Sequence, residues 1–90
     1  MVEYIYDVIR VSAGEPAAIT ATLNDENGEA ITSNCSFKIY KEDLELFSVK
    51  GTYANEQWQF ILPALGEGKF EYAIFTGDVS LCFKKALYVM

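Results

Sequence analysis

Histidine is absent from this 90-residue sequence. That absence removes the usual general base, the Ser-His-Asp and Cys-His arrangements, and most zinc sites. Cysteine is also scarce, and Cys35 and Cys82 alone cannot complete a zinc site. Cys82 has a nearby cation in Lys84, but one core thiol and one partly exposed thiol account for the pair more simply. We therefore expect no enzymatic activity, no catalytic residues, no metal ion and no cofactor.

Basic residues and long apolar runs are scarce as well. Seven Lys and Arg residues face thirteen Asp and Glu residues, for a formal net charge of −6. A nucleic-acid surface needs a basic stripe, so we expect neither a nucleic-acid partner nor an anionic membrane. No apolar run approaches the roughly 20 residues that cross a bilayer. The start, "MVEYIYDVIR", carries Glu3 and Asp7 where a signal peptide is basic and apolar, which predicts a cytoplasmic location at synthesis with reduced thiols.

The residues that are present predict one folded domain spanning 1–90. A chain of this size buries about 60–65% of its unfolded surface and has no apolar area for a second core. Apolar residues make up 51% of the sequence and aromatic residues 14%, which is too rich for a disordered segment.

Strict alternation of apolar and polar residues is the strongest local signal. It runs through 19–23, 35–39 and 57–62, and period two indicates half-buried strands. No segment sustains a helical pattern, and the best candidate, "KEDLELF", covers fewer than two turns. The pattern predicts an all-β antiparallel sandwich of about seven strands. Their predicted ranges are 2–11, 16–23, 35–41, 44–50, 57–62, 68–76 and 79–89.

The stretch "FEYAIFTGDVSLCFKK" predicts a hairpin with a two-residue Gly77-Asp78 turn. Counting outward from that turn gives a complete register. Its core-facing pairs are Thr76 with Val79, Ile74 with Leu81 and Tyr72 with Phe83, and its outward pairs are Ala73 with Cys82 and Glu71 with Lys84. Cys82 then lies on a different face from core-facing Cys35, so no disulfide is expected.

Several short motifs have two interpretations. "NDENGE" resembles part of a calcium loop but fits a hairpin turn better, because an EF-hand needs a longer alternation of ligands. "YKEDLE" fits a solvated turn, and "GEGK" fits a corner because no helix follows it. Trp58 shares its parity with Phe60 and Leu62, which favours core packing over stacking on a sugar. Pro63 should end the Trp58 strand.

Two longer patterns resemble known modules. "EGKFEY" resembles the corner of immunoglobulin-like domains. "GEPAAITATLNDENGEAIT", followed by "CSFKIYKED", "FILP" and "GKFEYAI", is similar to the immunoglobulin-like modules of tailed-phage virions, including the N-terminal domains of baseplate upper proteins. The resemblance covers about 14–83. It implies an immunoglobulin-like sandwich, a role in assembly or attachment, and no catalytic residues.

Two classes of function follow from these observations. The first is a structural module of a phage baseplate, tail, neck or head that forms a homo-oligomer or joins a larger virion assembly. The second is a recognition module for a carbohydrate or a host protein. The terminal segments are apolar at both parities, so they either lie centrally in the sheet or fold back under loops, or they form an intersubunit surface. The candidate interface comprises Tyr4, Ile5, Tyr6, Ala73, Phe75, Cys82 and Tyr88.

Overall fold

The computed structural model describes residues 2–5, 8–32, 34–77 and 79–90, with side chains described for all of these except 2–5, 80, 82 and 83. The described residues form nine strands and no helix. They are β1 (Val2–Ile5), β2 (Val8–Val11), β3 (Ala17–Ala21), β4 (Cys35–Lys41), β5 (Leu44–Lys50), β6 (Thr52–Ala54), β7 (Gln57–Leu62), β8 (Gly68–Thr76) and β9 (Val79–Val89). The predicted all-β class is confirmed.

The strands form two sheets around one core. The larger sheet has six strands in the order β1-β2-β9-β8-β4-β5, and the smaller has three in the order β3-β7-β6. Neighbouring strands are antiparallel except β2 and β9, which run parallel, with Ile9 opposite Leu87 and Val11 opposite Val89. The prediction of purely antiparallel sheets is therefore wrong at this one pairing.

Five predicted strands, 35–41, 44–50, 57–62, 68–76 and 79–89, have the bounds that the alternation predicts. The predicted strand 2–11 is instead a hairpin of β1 and β2, with Val2 opposite Val11 and Ile5 opposite Val8. In this register, even-numbered residues of β1 lie opposite odd-numbered residues of β2 and share a face of the sheet with them. Apolar residues of one face therefore occur at both even and odd positions of the segment 2–11. The predicted strand 16–23 is shorter, as β3. β6 lies within "KGTYANE", a stretch whose residues predict a turn.

The β8–β9 hairpin follows the predicted register only near its turn. Thr76 is opposite Val79, but the register shifts on both sides of Ile74. The observed pairs are Ile74 with Cys82, Tyr72 with Lys85 and Glu71 with Ala86, so the four predicted pairs beyond Thr76–Val79 are wrong. β-Bulges cause the difference, because extra residues on β9 displace each later partner, and Lys84 takes a left-handed φ of 51° there. Cys35 is buried, whereas the side chain of Cys82 and the turn residue Asp78 lie outside the described residues.

Aromatic rings from both sheets form the centre of the core. Phe37 of β4 is fully buried, stacks on Tyr72 of β8 at 5.1 Å, and meets Phe60 of β7 at 5.5 Å. Trp58 is also buried, which confirms the core interpretation of this residue. Its Nε1 donates a hydrogen bond of 2.6 Å to the carbonyl of Ile31. The N–H group of the buried indole thus has a hydrogen-bond acceptor, as is usual for buried tryptophans.

The turns follow the predicted chemistry. In "NDENGE", the N–H of Gly28 donates to the carbonyl of Asp25, and the Asp25 carboxylate accepts the N–H groups of Asn27 and Glu29. Gly28 takes a φ of 81°, which a residue without Cβ adopts at little cost. The hairpin interpretation of this motif is confirmed, and β7 ends at Leu62, immediately before Pro63, as expected.

The turn between β4 and β5 holds an ion pair that predicts a pH-dependent stability. Asp43 Oδ1 accepts a hydrogen bond of 2.5 Å from Lys84 Nζ, and this contact lowers the pKa of the Asp43 carboxyl and raises the pKa of Lys84. A carboxyl with a lowered folded pKa stabilises the fold above its unfolded pKa, and the contribution disappears as the pH falls through the folded value. We therefore expect Asp43→Asn to lower the melting temperature at about pH 6 by more than it does at about pH 2.

Glu42→Gln is the matched control, because it removes the neighbouring carboxylate of the same turn. Thermal unfolding of the parent and both variants across this pH range measures the effect. The ion pair has no role in stability if the difference between Asp43→Asn and the parent stays constant with pH. The same holds if Glu42→Gln reproduces that pH dependence.

Candidate functional site

The seven residues of the predicted interface do not form one described exposed patch. The side chains of Tyr4, Ile5 and Cys82, and all of Tyr6, lie outside the described residues. Ala73 has no exposed area, which corrects the expectation that it faces solvent. It lies in β8 between β4 and β9, opposite the longer side chain of Lys38, and a methyl group in the middle of a six-stranded sheet is readily covered.

Phe75 and Tyr88, the other two predicted residues, are half-buried on the outer face of the six-stranded sheet. The Nζ atom of Lys38 lies 4.9 Å from the centroid of the Phe75 ring, and that of Lys69 lies 5.9 Å from the Tyr88 ring. Lys84 makes a third such contact, 5.7 Å from Tyr40. Each of these aromatic rings is therefore covered by a lysine, a favourable cation–π arrangement that leaves this face charged rather than apolar.

A stronger candidate surface lies at the edge of the same sheet, on β5. Leu44 is 69% exposed, Leu46 45% and Phe47 40%. These three residues are half of the six exposed large apolar side chains among the described residues. β5 is the last strand of the six-stranded sheet, so one side of its backbone has no neighbouring strand within the described part of the chain.

Folded proteins usually protect such an edge with lysines, prolines or short strands. The sequence of β5, "LELFSVK", is seven residues long and contains no proline. Its one acidic residue, Glu45, is held by Lys38 at 3.3 Å on the outer face, and its one basic residue, Lys50, stands at the end. β5 also carries a bulge, because Ile39 is opposite Phe47 and Tyr40 is opposite Glu45, which leaves Leu46 as the extra residue. The middle of β5 is thus an apolar strand edge interrupted by one bulge, and a strand edge is the geometry that accepts an added strand.

Sequence reasoning missed this surface, although a signal was available. Leu44 and Leu46 occupy one parity of "LELFSVK", and Phe47 and Val49 occupy the other. Apolar residues at both parities also occur in the two terminal segments, where they predict an intersubunit surface, and the same prediction follows for β5.

Two other features of the described residues concern possible chemistry, the thiol of Cys35 and the grouping of possible metal ligands. Cys35 lines a cavity of about 320 Å³ together with Ser36, Lys50 and Gly51, but burial raises the pKa of its thiol, with a hydrogen bond to Thr76 as a smaller, opposing cause. A thiol with a raised pKa is a poor nucleophile at neutral pH. Across the described residues, His, Cys, Asp and Glu side chains form no group of three or more that would hold a metal ion.

Two further findings concern the chain as a whole. In the described ranges, no helix has the length and apolar character needed to cross a membrane. Comparison with protein-family models and with curated proteins finds no match for this chain.

Proposed function

We propose that this protein is a non-catalytic structural module that assembles through protein–protein contacts, with β5 as the contact strand. The exposed apolar edge formed by Leu44, Leu46 and Phe47 carries the proposal. We further propose an immunoglobulin-like sandwich and a place in a phage virion, on the basis of the sequence resemblance described above. Modules of that kind function by attachment and need no catalytic group.

The proposed partner is a second copy of the chain, paired antiparallel along β5. Phe47 is the middle residue of the seven-residue strand Leu44–Lys50. Full overlap of two antiparallel copies about a two-fold axis therefore places Phe47 opposite itself, where an aromatic cross-strand pair contributes about 0.2–1 kcal/mol. The flanking pairs are Leu46 with Ser48, Glu45 with Val49 and Leu44 with Lys50.

Charge on the strand is compatible with this pairing. The formal net charge of −6 opposes association of two copies, but β5 carries one acidic and one basic residue and is neutral as a unit. The opposed pairs bring no like charges together, and like charges directly opposite would be destabilising. Backbone hydrogen bonds between the edges and burial of the exposed apolar side chains supply the attraction.

Sedimentation velocity at micromolar concentration tests the proposal. We expect the parent to sediment as a dimer and Phe47→Lys to sediment as a monomer, because a charge on each side of the two-fold axis repels its own copy. Ile61→Lys is the matched control, since Ile61 is 54% exposed on the three-stranded sheet and should leave the dimer intact. A monomeric parent, or a Phe47→Lys variant that remains dimeric while folded, would overturn the proposal.

Cross-linking tests the register of the proposed dimer. Directly opposed residues of antiparallel strands have Cα atoms about 4.5–5.5 Å apart, within the roughly 4.4–6.8 Å range of a disulfide. We expect Phe47→Cys to form a covalent dimer on mild oxidation, joined through position 47 in peptide mass spectra, and Ile61→Cys to form none. Equal cross-linking of both variants would indicate random collision instead of a specific interface.

A further inference from the structure

The three-stranded sheet presents an outer face without charge. β3, β6 and β7, with the sequences "AAITA", "TYA" and "QWQFIL", contain no charged residue, whereas charged residues make up 22% of the chain. The register places Gln59 of β7 between Thr20 of β3 and Thr52 of β6, and places Gln57 opposite Ala54. These five residues are exposed and present hydroxyl, amide and methyl groups, while exposed Ala18 and Ile61 make the far end of the same face apolar.

Two adjoining cavities lie at the β6–β7 end of this face and share Asn55 and Gln57. The smaller, about 160 Å³, is also lined by Thr20, Thr52, Ala54 and Gln59. The larger, about 410 Å³, is also lined by Thr22, Asn24, Ala30, Tyr53 and Glu56. The larger volume lies within the range of about 300–1,000 Å³ that is typical of small-molecule sites. We call the two cavities together the neutral groove.

Two tight turns form the walls of the neutral groove. One is the β6–β7 hairpin turn, where Asn55 and Glu56 both take left-handed φ values, 52° and 63°. The other is the turn closed by the bridge between Asn24 and Ala30, whose loop amides are held by the Asp25 carboxylate. Backbone hydrogen bonds within such turns reduce the conformational freedom that a binding site would lose on binding a ligand.

An aromatic pair joins the two walls from beneath. The half-buried Tyr53 ring lies 5.4 Å from the Trp58 ring, and Trp58 Nε1 donates its hydrogen bond to the carbonyl of Ile31 just beyond the second turn. Trp58 therefore ties the β6–β7 hairpin to the segment that carries Asn24 and Ala30. Half-buried Tyr53 packs against the core and also lines the larger cavity, and Ala30 and Ala54 are the other apolar residues of the lining.

We propose that the neutral groove binds a neutral oligosaccharide. Its Thr, Asn and Gln side chains both donate and accept hydrogen bonds, as sugar hydroxyls do. Tyr53 offers a ring on which the C–H face of a pyranose packs. Glu56 is the one charged residue among the groove's lining, and the chain carries a net charge of −6, so acidic sugars and phosphorylated ligands are disfavoured. This binding role is separate from the β5 contact and does not depend on it.

Amide chemical-shift titration of the full chain tests the proposal. The probes are the neutral hexasaccharides cellohexaose, maltohexaose, mannohexaose and chitohexaose, with trigalacturonate as the acidic comparison. We expect at least one neutral probe to shift amides of 20–24 and 52–59 in a saturable manner, with trigalacturonate at least tenfold weaker. We expect Gln57→Ala to weaken binding at least fivefold.

Asn27→Ala is the matched control, because it also removes one side-chain amide near the groove but from a residue that does not line either cavity. It should bind the same probe as the parent does. The proposal is overturned if no neutral probe gives saturable shifts, if the shifts map to β5 or the outer face of the six-stranded sheet, or if Gln57→Ala binds as tightly as Asn27→Ala.

Discussion

Gly51→Ala is expected to destabilise the protein by about 1–3 kcal/mol, the usual cost of forcing an extra methyl group into a packed core. A Cβ at this position would lie 2.5 Å from Phe60 Cε1 and 2.7 Å from Trp58 Cε3, well inside van der Waals contact. Both atoms belong to buried rings and have no free space to move into. Backbone strain is not the cause, because the φ of Gly51 lies outside the left-handed region.

Urea or thermal unfolding measures this effect, and a domain of this size loses roughly 4–8 °C of melting temperature per kcal/mol. Gly66→Ala is the matched control: it makes the same chemical change where no atom lies within 4 Å of the added Cβ. That variant should keep or slightly raise the stability, because alanine reduces the conformational freedom of the unfolded chain. Equal losses in the two variants would show that the close approach at Gly51 does not control stability.

Gly51 is also where the chain passes from one sheet to the other. It follows β5 of the six-stranded sheet and precedes β6 of the three-stranded sheet, and its N–H donates to the carbonyl of Cys35. The sequence "KGTYANE" predicts a turn, and the strand within it has three residues, too few for an alternating pattern to be recognised. The role of Gly51 depends on two rings that are distant in sequence, so local pattern cannot predict it.

The strands that sequence pattern predicts well share one physical property. β4 and β7 each place one parity in the core and the other toward solvent, so alternation marks both strands and their ends. The pattern also shows where these strands end: β4 ends at Lys41, before a turn, and β7 ends directly before Pro63. Alternation does not reveal the hairpin of β1 and β2. The chain reverses between the two strands, so one face of the sheet receives even-numbered residues from β1 and odd-numbered residues from β2.

Registers and surfaces are less predictable from the sequence than strands are. The bulges of β9 arise from twist and packing across a six-stranded sheet, and a count from Gly77 cannot include them. Ala73 is predicted to be exposed for the same reason, since coverage of a small side chain depends on its neighbours on β4 and β9. The exposure of β5 follows from strand order, which alternation along one strand does not encode.

Phe37→Ala is expected to have the largest effect of any single truncation in the core, about 3–5 kcal/mol. Phe37 has no exposed area and contacts Tyr72 within its own sheet and Phe60 of the opposite sheet. Its removal leaves a cavity at the point where the two sheets meet, and rings fixed by their own neighbours cannot move to fill it. The free energy of unfolding of a small domain is about 5–15 kcal/mol, so this loss is a large fraction of the total stability.

Phe75→Ala is the matched control for this truncation, because Phe75 is a half-buried phenylalanine of the same sheet whose ring faces Lys38 on the outer side. Its loss should cost about 1 kcal/mol or less, the contribution of a partly exposed cation–π contact. Urea unfolding of both variants gives the comparison, and Phe37→Leu supplies a folded variant if Phe37→Ala does not fold, with a smaller loss because most of the apolar volume remains. If Phe75→Ala costs as much as either change at position 37, the two sheets are not held together by this aromatic centre, and their association depends instead on the apolar residues of β2, β3 and β9.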